Sequence, residues 1–207
     1  MGFAIAFVQQ QGGTGKTTIL AHLAHSWAHH EKNVGLIDLD QRETLTQWAR
    51  LHREIHVNLK AAKTWNAKSD IHTCKNHHDI TLVDCPSFPE PLLRSAAAEC
   101  DLVIAPVQPL GMDLWALAGT LRICADTNTP CRVVLNSVPQ DPAKITKTLE
   151  ALDKKGAVTL TSRLDNRVAY SSGFLDGYTA LSGKKRTSAH DEIENLRMEI
   201  NQILDNL

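Results

Sequence analysis

Apolar residues recur along this chain as short, β-branched runs, each closed by a turn and followed by a longer stretch with helical spacing. Residues 3–8, 34–39, 80–83, 102–107, 132–135 and 157–160 read as buried strands, and 56–59 is a less strongly patterned candidate. Helical spacing is seen over 17–30, 92–99, 114–125 and 144–154, and again over 191–207. Strands that alternate with helices form βαβ units, and such units build a mostly parallel, doubly wound α/β sheet flanked by helices on both faces. No Pro-, Gly- or Ser-rich linker and no internal repeat divides the 207 residues, so a single domain over 1–207 is expected.

In open α/β sheets ligands bind where strands end at their carboxyl side. The first strand runs into Gln9-Gln10-Gln11-Gly12-Gly13-Thr14-Gly15-Lys16-Thr17-Thr18, then into an amphipathic helix. Glycines let backbone N–H groups wrap inward, the helix N-terminus adds its positive dipole end, Lys16 is placed to neutralise β/γ phosphates, and Thr17 to ligate Mg²⁺. Two later strand ends supply carboxylates. Asp38 and Asp40 alternate onto one side of the second, and Asp84 closes the run Leu82-Val83-Asp84-Cys85-Pro86-Ser87. Carboxylates gathered around a triphosphate are costly unless a cation lies among them. Taken singly, each of the three can also be read as a turn-capping carboxylate; jointly, in this order, that reading is weak.

The ordinary Walker spacing fails, because Gln10 stands where its first glycine belongs. Gly12-Gly13-Thr14-Gly15-Lys16-Thr17 instead resembles the deviant Walker A motif of the ParA/MinD superfamily of P-loop ATPases. Further likenesses lie in Asp38-Leu39-Asp40 with Leu45-Thr46-Gln47-Trp48, in residues 101–107, in Asn136 after Val133-Val134-Leu135, and in Arg167-Val168-Ala169-Tyr170 with Gly177. The resemblance implies ATP held by Gln11, Gly12, Gly13, Thr14, Gly15, Lys16, Thr17 and Thr18, with Asn136 at the adenine. It places Mg²⁺ near Thr17, Asp38 and Asp84, and assigns catalysis to Lys16, to Asp40 as the water-positioning group, and to Asp38 in support. An ordinary turn residue after a strand is the competing reading of Asn136.

Two positions depart from the family pattern. Gln11 stands where a signature lysine would reach a dimer partner's phosphates, and a neutral amide cannot offset phosphate charge. Lys144 and Lys147 are substitutes to consider, although solvated helix charges are the simpler reading. Gln41-Arg42 replaces the common Pro-Gln, which loosens the switch by removing a fixed φ; Arg42 is either a solvated arginine or one that reaches a phosphate or neighbour.

Charge narrows the partners. Lys plus Arg number 22 against 23 Asp plus Glu, so no global field draws the chain to nucleic acid or membrane. The last helical stretch is acidic, with Arg197 its only arginine or lysine, so it is expected to pack on the body rather than on anionic lipid. Residues 140–190 carry nine Lys or Arg against five acids, and Lys184, Lys185 and Arg186 are the best candidate grip on duplex DNA phosphates; a solvated turn is the competing reading. Five cysteines without a CxxC pair suit reduced thiols and a cytoplasmic chain. His22, His25 and His29 are expected as surface imidazoles, Trp115 as a buried helix residue, and Cys85 as a small core residue.

The resulting expectation is a slow, partner-stimulated ATPase that dimerises with ATP and binds DNA nonspecifically, so becoming nucleoid-associated. A ParB-like or cargo adaptor protein would stimulate it, and plasmid, chromosome or protein cargo would be positioned, with no membrane involved. The alternatives are a metabolic ATP-dependent synthase of the same P-loop class and a hydrolysis-impaired nucleotide-binding adaptor.

Overall fold

The computed structural model describes residues 2–61, 66–109, 111–183 and 185–207. Seven strands, β1 (Phe3–Phe7), β2 (Val34–Asp38), β3 (Asn58–Ala61), β4 (Ile80–Asp84), β5 (Leu102–Val107), β6 (Cys131–Val138) and β7 (Thr159–Asp165), form one sheet in the order β3-β2-β4-β1-β5-β6-β7. Every pairing is parallel. The helices are α1 (Lys16–His29), α2 (Thr44–Leu51), α3 (Ala67–His77), α4 (Glu90–Glu99), α5 (Gly111–Thr127), α6 (Pro142–Asp153) and α7 (Ser188–Leu204). From β1 the chain crosses to β2 on one side and later continues to β5 on the other, so the switch point lies beside β1.

The pleat of β1 shows how the two faces are filled. Ile5 and Phe7 point into a core built with α1, α2 and α7, while Ala4, Ala6 and Val8 point into the core under α3 and α4. As expected, α7 packs on the body: Ile193, Leu196, Ile200 and Leu204 are buried. Its Glu194 accepts from the Ser26 hydroxyl, from His30 Nε2 (2.8 Å) and from Arg197 (2.9 Å). Burial acts to raise that carboxyl, but the three donors prevail and hold it at about 2.

Several expectations are corrected. His22 and His25 are buried because α1 is enclosed by the sheet, α2, α7 and residues 170–181; only His29 of the trio is exposed. His22 donates from Nδ1 to the Thr18 carbonyl (2.7 Å) and meets Tyr170 edge-on. Trp115 is 77 % exposed, since α5 turns Leu117, Thr120 and Ile123 inward from a different side. Helices α2 and α3 and the full length of β7 go beyond the sequence pattern. The Cys85 thiol is buried and pushed up by that burial, in keeping with a core residue, and all five cysteines are free.

The buried imidazoles make the fold acid-sensitive. Burial lowers His22 to about 4 and His25 to about 3, below the ordinary 6.5. The unfolded chain then takes up protons first, so their stabilisation is complete above pH 6.5 and is lost as pH falls through that value. Each accounts for a loss of about 2 kcal/mol between pH 7 and 5. In urea titrations, His22→Gln should therefore lose about 2 kcal/mol less than the parent over that interval; an equal loss refutes this assignment.

Candidate functional site

The turn between β1 and α1 is pinned from the neighbouring strand ends. Gly15, at φ 95°, caps α1, and a Cβ there would lie 2.2 Å from Asn136 Nδ2. That amide donates to the Thr14 carbonyl (2.7 Å), and Gln108 Nε2 donates to the Gly13 carbonyl (3.0 Å). Asn136, at the end of β6, thus braces the loop; Thr14 is buried behind it, while Gly12 and Gly13 are exposed and Gln11 and Thr18 half-buried. The loop is open on the side away from the sheet, where its backbone can receive phosphate.

Lys16 is buried with its ammonium 3.1 Å from the Gln9 carbonyl, 3.5 Å from the Gln11 carbonyl and 3.3 Å from Ser87 Oγ. Burial lowers its pKa, opposed by Asp84. Thr17 Oγ1 donates to Asp84 Oδ2 at 2.6 Å. The other Asp84 oxygen is buried with no hydrogen-bond partner among the described residues, and burial pushes the carboxyl up to about 7. An orphaned buried oxygen beside a threonine hydroxyl, with Asp38 and Asp40 adding negative potential, is a donor set of hard oxygens that fits Mg²⁺.

Asp38 faces into the protein. Its Oδ2 accepts from Thr46 N and Thr46 Oγ1, both at 2.9 Å, and its Oδ1 from Asp40 N at 3.1 Å. It therefore caps the first turn of α2 from outside, in place of the Glu43 side chain, which makes no capping bond. Asp40 is engaged by Arg42: Nε at 3.1 Å, Nη2 at 2.7 Å and the backbone N–H at 3.0 Å. These bonds hold the Asp40 carboxyl below its ordinary range. Beside this turn a cavity of about 370 Å³ opens, lined by Leu39, Arg42, Ser87 and Phe88 among others. A larger one, about 580 Å³, lies at the opposite, amino end of the strands near Asn33 and His77, far from the loop carboxylates.

The structure thus brings Lys16, Thr17, Asp38, Asp40, Asp84 and Asn136 to one end of the sheet. The Arg42 fork, the Asp38 cap on Thr46 and the Gln108 brace lie beyond the sequence reading; only Asp38 and Thr46 eight residues apart across a strand-to-helix turn hint at one of them. Gly177, at φ 83°, approaches the backbone of Leu51 and His52, and a Cβ would lie 2.6 Å from the Leu51 carbonyl carbon, so the C-terminal motif closes on α2. Of the basic cluster, Lys184 lies outside the described residues, Lys185 is exposed, and Arg186 is exposed but paired with Asp191. Lys144 and Lys147 are exposed on α6 and make no ion pair among the described residues. Among those residues no helix is long and apolar enough to cross a membrane.

The sequence profile described as "CobQ/CobB/MinD/ParA nucleotide binding domain" matches residues 5–178. The chain is 26% identical to a maintenance of carboxysome distribution protein A of Halothiobacillus neapolitanus, over 96% of each chain. It is 27% identical to a protein ParA of Rhizobium radiobacter, over 88% of this chain and 86% of that one. The solved cell division ATPase MinD of Pyrococcus furiosus superposes with a TM-score of 0.79 at 18% identity, covering 98% of this chain and 100% of that one.

Proposed function

We propose, from the premise that this chain belongs to the CobQ/CobB/MinD/ParA nucleotide-binding domain family, that it is an ATPase which uses ATP-dependent homodimerisation and nonspecific DNA binding to position or segregate a cargo. The observation that carries the reading is the Thr17–Asp84 contact beside the buried Lys16, at the mouth of a glycine loop. Similarity to a carboxysome-distribution protein and to a ParA supports a positioning role. A cytoplasmic, nucleoid-associated place and a ParB-like or cargo adaptor that stimulates hydrolysis belong to the same proposal.

Thr17 and Asp84 would hold Mg²⁺, which when bound offsets charge on the phosphates. Lys16 donates to the β/γ oxygens, and the loop N–H groups orient the triphosphate. Asp40 positions the attacking water, and Asp38 fixes α2 and the Asp40 backbone around it. Gln11 supplies only a neutral contact across the dimer, so the ATP-bound dimer is weakly held.

Turnover with and without nonspecific duplex DNA, with light scattering in ATP and in ADP, tests this. DNA-stimulated turnover and a doubled mass in ATP alone are expected, with DNA retention falling steeply as salt rises. A monomer in both nucleotides overturns the dimer switch. Product formation from a small acid would identify a synthase instead.

The Arg42 fork favours a second reading, an adaptor with impaired hydrolysis. Separating the two readings requires Arg42→Ala. Because Arg42 is largely exposed, its pair with Asp40 is worth at most about 1 kcal/mol, and releasing Asp40 should raise turnover by no more than about fivefold. Steady-state phosphate release checks this; no turnover in either protein selects the adaptor.

A further inference from the structure

We propose that His25, His52 and Glu54 form a site for one Zn²⁺ ion that ties α1, the end of α2 and the Gly177–Leu181 loop together. One ligand atom from each of the three lies within 4.8 Å of the others. The two imidazole rings meet edge-on with centroids 5.0 Å apart, and His25 Nδ1 is 3.9 Å from Glu54 Oε2. This cluster shares no residue with the glycine loop and sits about 13 Å further along α1, at 1.5 Å per residue.

The His52 ring is the strongest sign of a built site. It is 95 % buried, at 5 % exposure, and stacked on Trp48. Its Nδ1 lies 2.6 Å from the Gly177 carbonyl, which can only accept, so Nδ1 carries the proton and Nε2 carries the lone pair. That Nε2 is buried and has no hydrogen-bond partner among the described residues. A backbone carbonyl on one ring nitrogen with a lone pair on the other is the arrangement by which metal-binding histidines are oriented. The orphaned acceptor is otherwise a cost to the fold.

The other two ligands are contacted by side chains of the 177–182 segment. Thr179 Oγ1 accepts from Leu181 N and lies 2.9 Å from His25 Nδ1, the same nitrogen that faces Glu54, so the Thr179 contact is exchanged for the ion on binding. Glu54 takes the Ser182 hydroxyl on Oε2, and its side chain is 34 % exposed, giving an ion a route in. Two imidazoles and a carboxylate are a zinc-type donor set. Tetrahedral bonds of about 2.0–2.2 Å set ligand atoms roughly 3.3–3.6 Å apart, so closing the site takes a movement of about 1 Å, within reach of the Glu54 side chain.

The test is Zn²⁺ competition with a chromophoric chelator on the full, tag-free chain, alongside Co²⁺ substitution and thermal melting without nucleotide. Expected are one ion per chain, the intense visible absorption of four-coordinate Co²⁺, and a raised melting midpoint. Glu54→Gln, at a half-exposed position that does not threaten folding, should weaken Zn²⁺ by at least about tenfold and remove the thermal shift, and His52→Asn should do the same. His72→Ala, on the exposed side of α3, should change nothing. No stoichiometric binding, binding indifferent to Glu54→Gln and His52→Asn, or binding lost in His72→Ala overturns the proposal. Because none of these readouts involves ATP, they stand or fall separately from the ATPase reading.

Discussion

Lys16→Gln is expected to lower ATP turnover by about 10²–10³-fold, the usual effect of deleting one preorganised donor to developing phosphate charge. The nucleotide-free protein should nonetheless stay as stable as the parent. The ammonium sits among two carbonyls and the Ser87 hydroxyl, and burial works against its charge, so the fold gains little from holding it there. A glutamine amide still donates to those oxygens. What it lacks is the charge-assisted contact with phosphate, about twice as strong as a neutral one. Melting curves with and without ATP separate the effects: the variant should match the parent alone and show a much smaller shift with nucleotide. Equal turnover in both proteins would remove Lys16 from the chemistry. A collapse of stability without ATP would make it a structural residue.

The glycine loop was legible in the sequence because its chemistry is local: turn, lysine and hydroxyl stand side by side in the chain, and the strand ends carry their acids a residue or two past an apolar run. Helix α3 was not, since only Ala67, Ile71 and Cys74 of its eleven residues are buried, too thin a stripe to stand out from a polar loop. His22 and His25 misled for the opposite reason. Their flank of α1 looks polar, yet one nitrogen of each ring is engaged, by Thr18 and by Thr179, and it took the return of residues 170–181 over the helix to bury them. The Arg42 fork on Asp40 and the Asp38 cap on Thr46 depend on side-chain direction in a turn, which hydrophobic periodicity does not encode. Both departures flagged in the sequence, Gln11 and Gln41-Arg42, lie at the site, but among the described residues only the second has a side chain with a defined hydrogen bond. Arg42 turns back on the carboxylate that would position water, where the sequence had offered a solvated arginine or one that reaches a phosphate or a neighbour.

Asp84→Asn should separate ligand binding from folding in the opposite direction to an ordinary core polar substitution. The Asp84 carboxyl titrates at about 7 in the fold against 3.8 ordinarily, because burial outweighs the Thr17 hydroxyl bond. A raised carboxyl pKa means that the folded chain binds the proton more tightly than the unfolded chain. Its contribution to stability is therefore favourable at low pH and is lost as pH rises from about 4 to 7, opposing the histidines over the same interval. Above pH 7 the ionised group costs the nucleotide-free fold about 4 kcal/mol. Asparagine keeps the acceptor for Thr17 and never ionises, so urea unfolding at pH 8 should find the variant more stable than the parent by up to that amount, with the gap closing toward pH 4. Mg²⁺ and ATP together should stabilise the parent and leave the variant unmoved, and its turnover should fall by at least about a hundredfold. A variant less stable than the parent at pH 8 would show that the orphaned oxygen is satisfied by the fold itself. Retained Mg²⁺-dependent turnover would move the metal site elsewhere. The same carboxylate that weakens the empty fold is the one the bound cation repays, which ties the stability of this loop to its ligand.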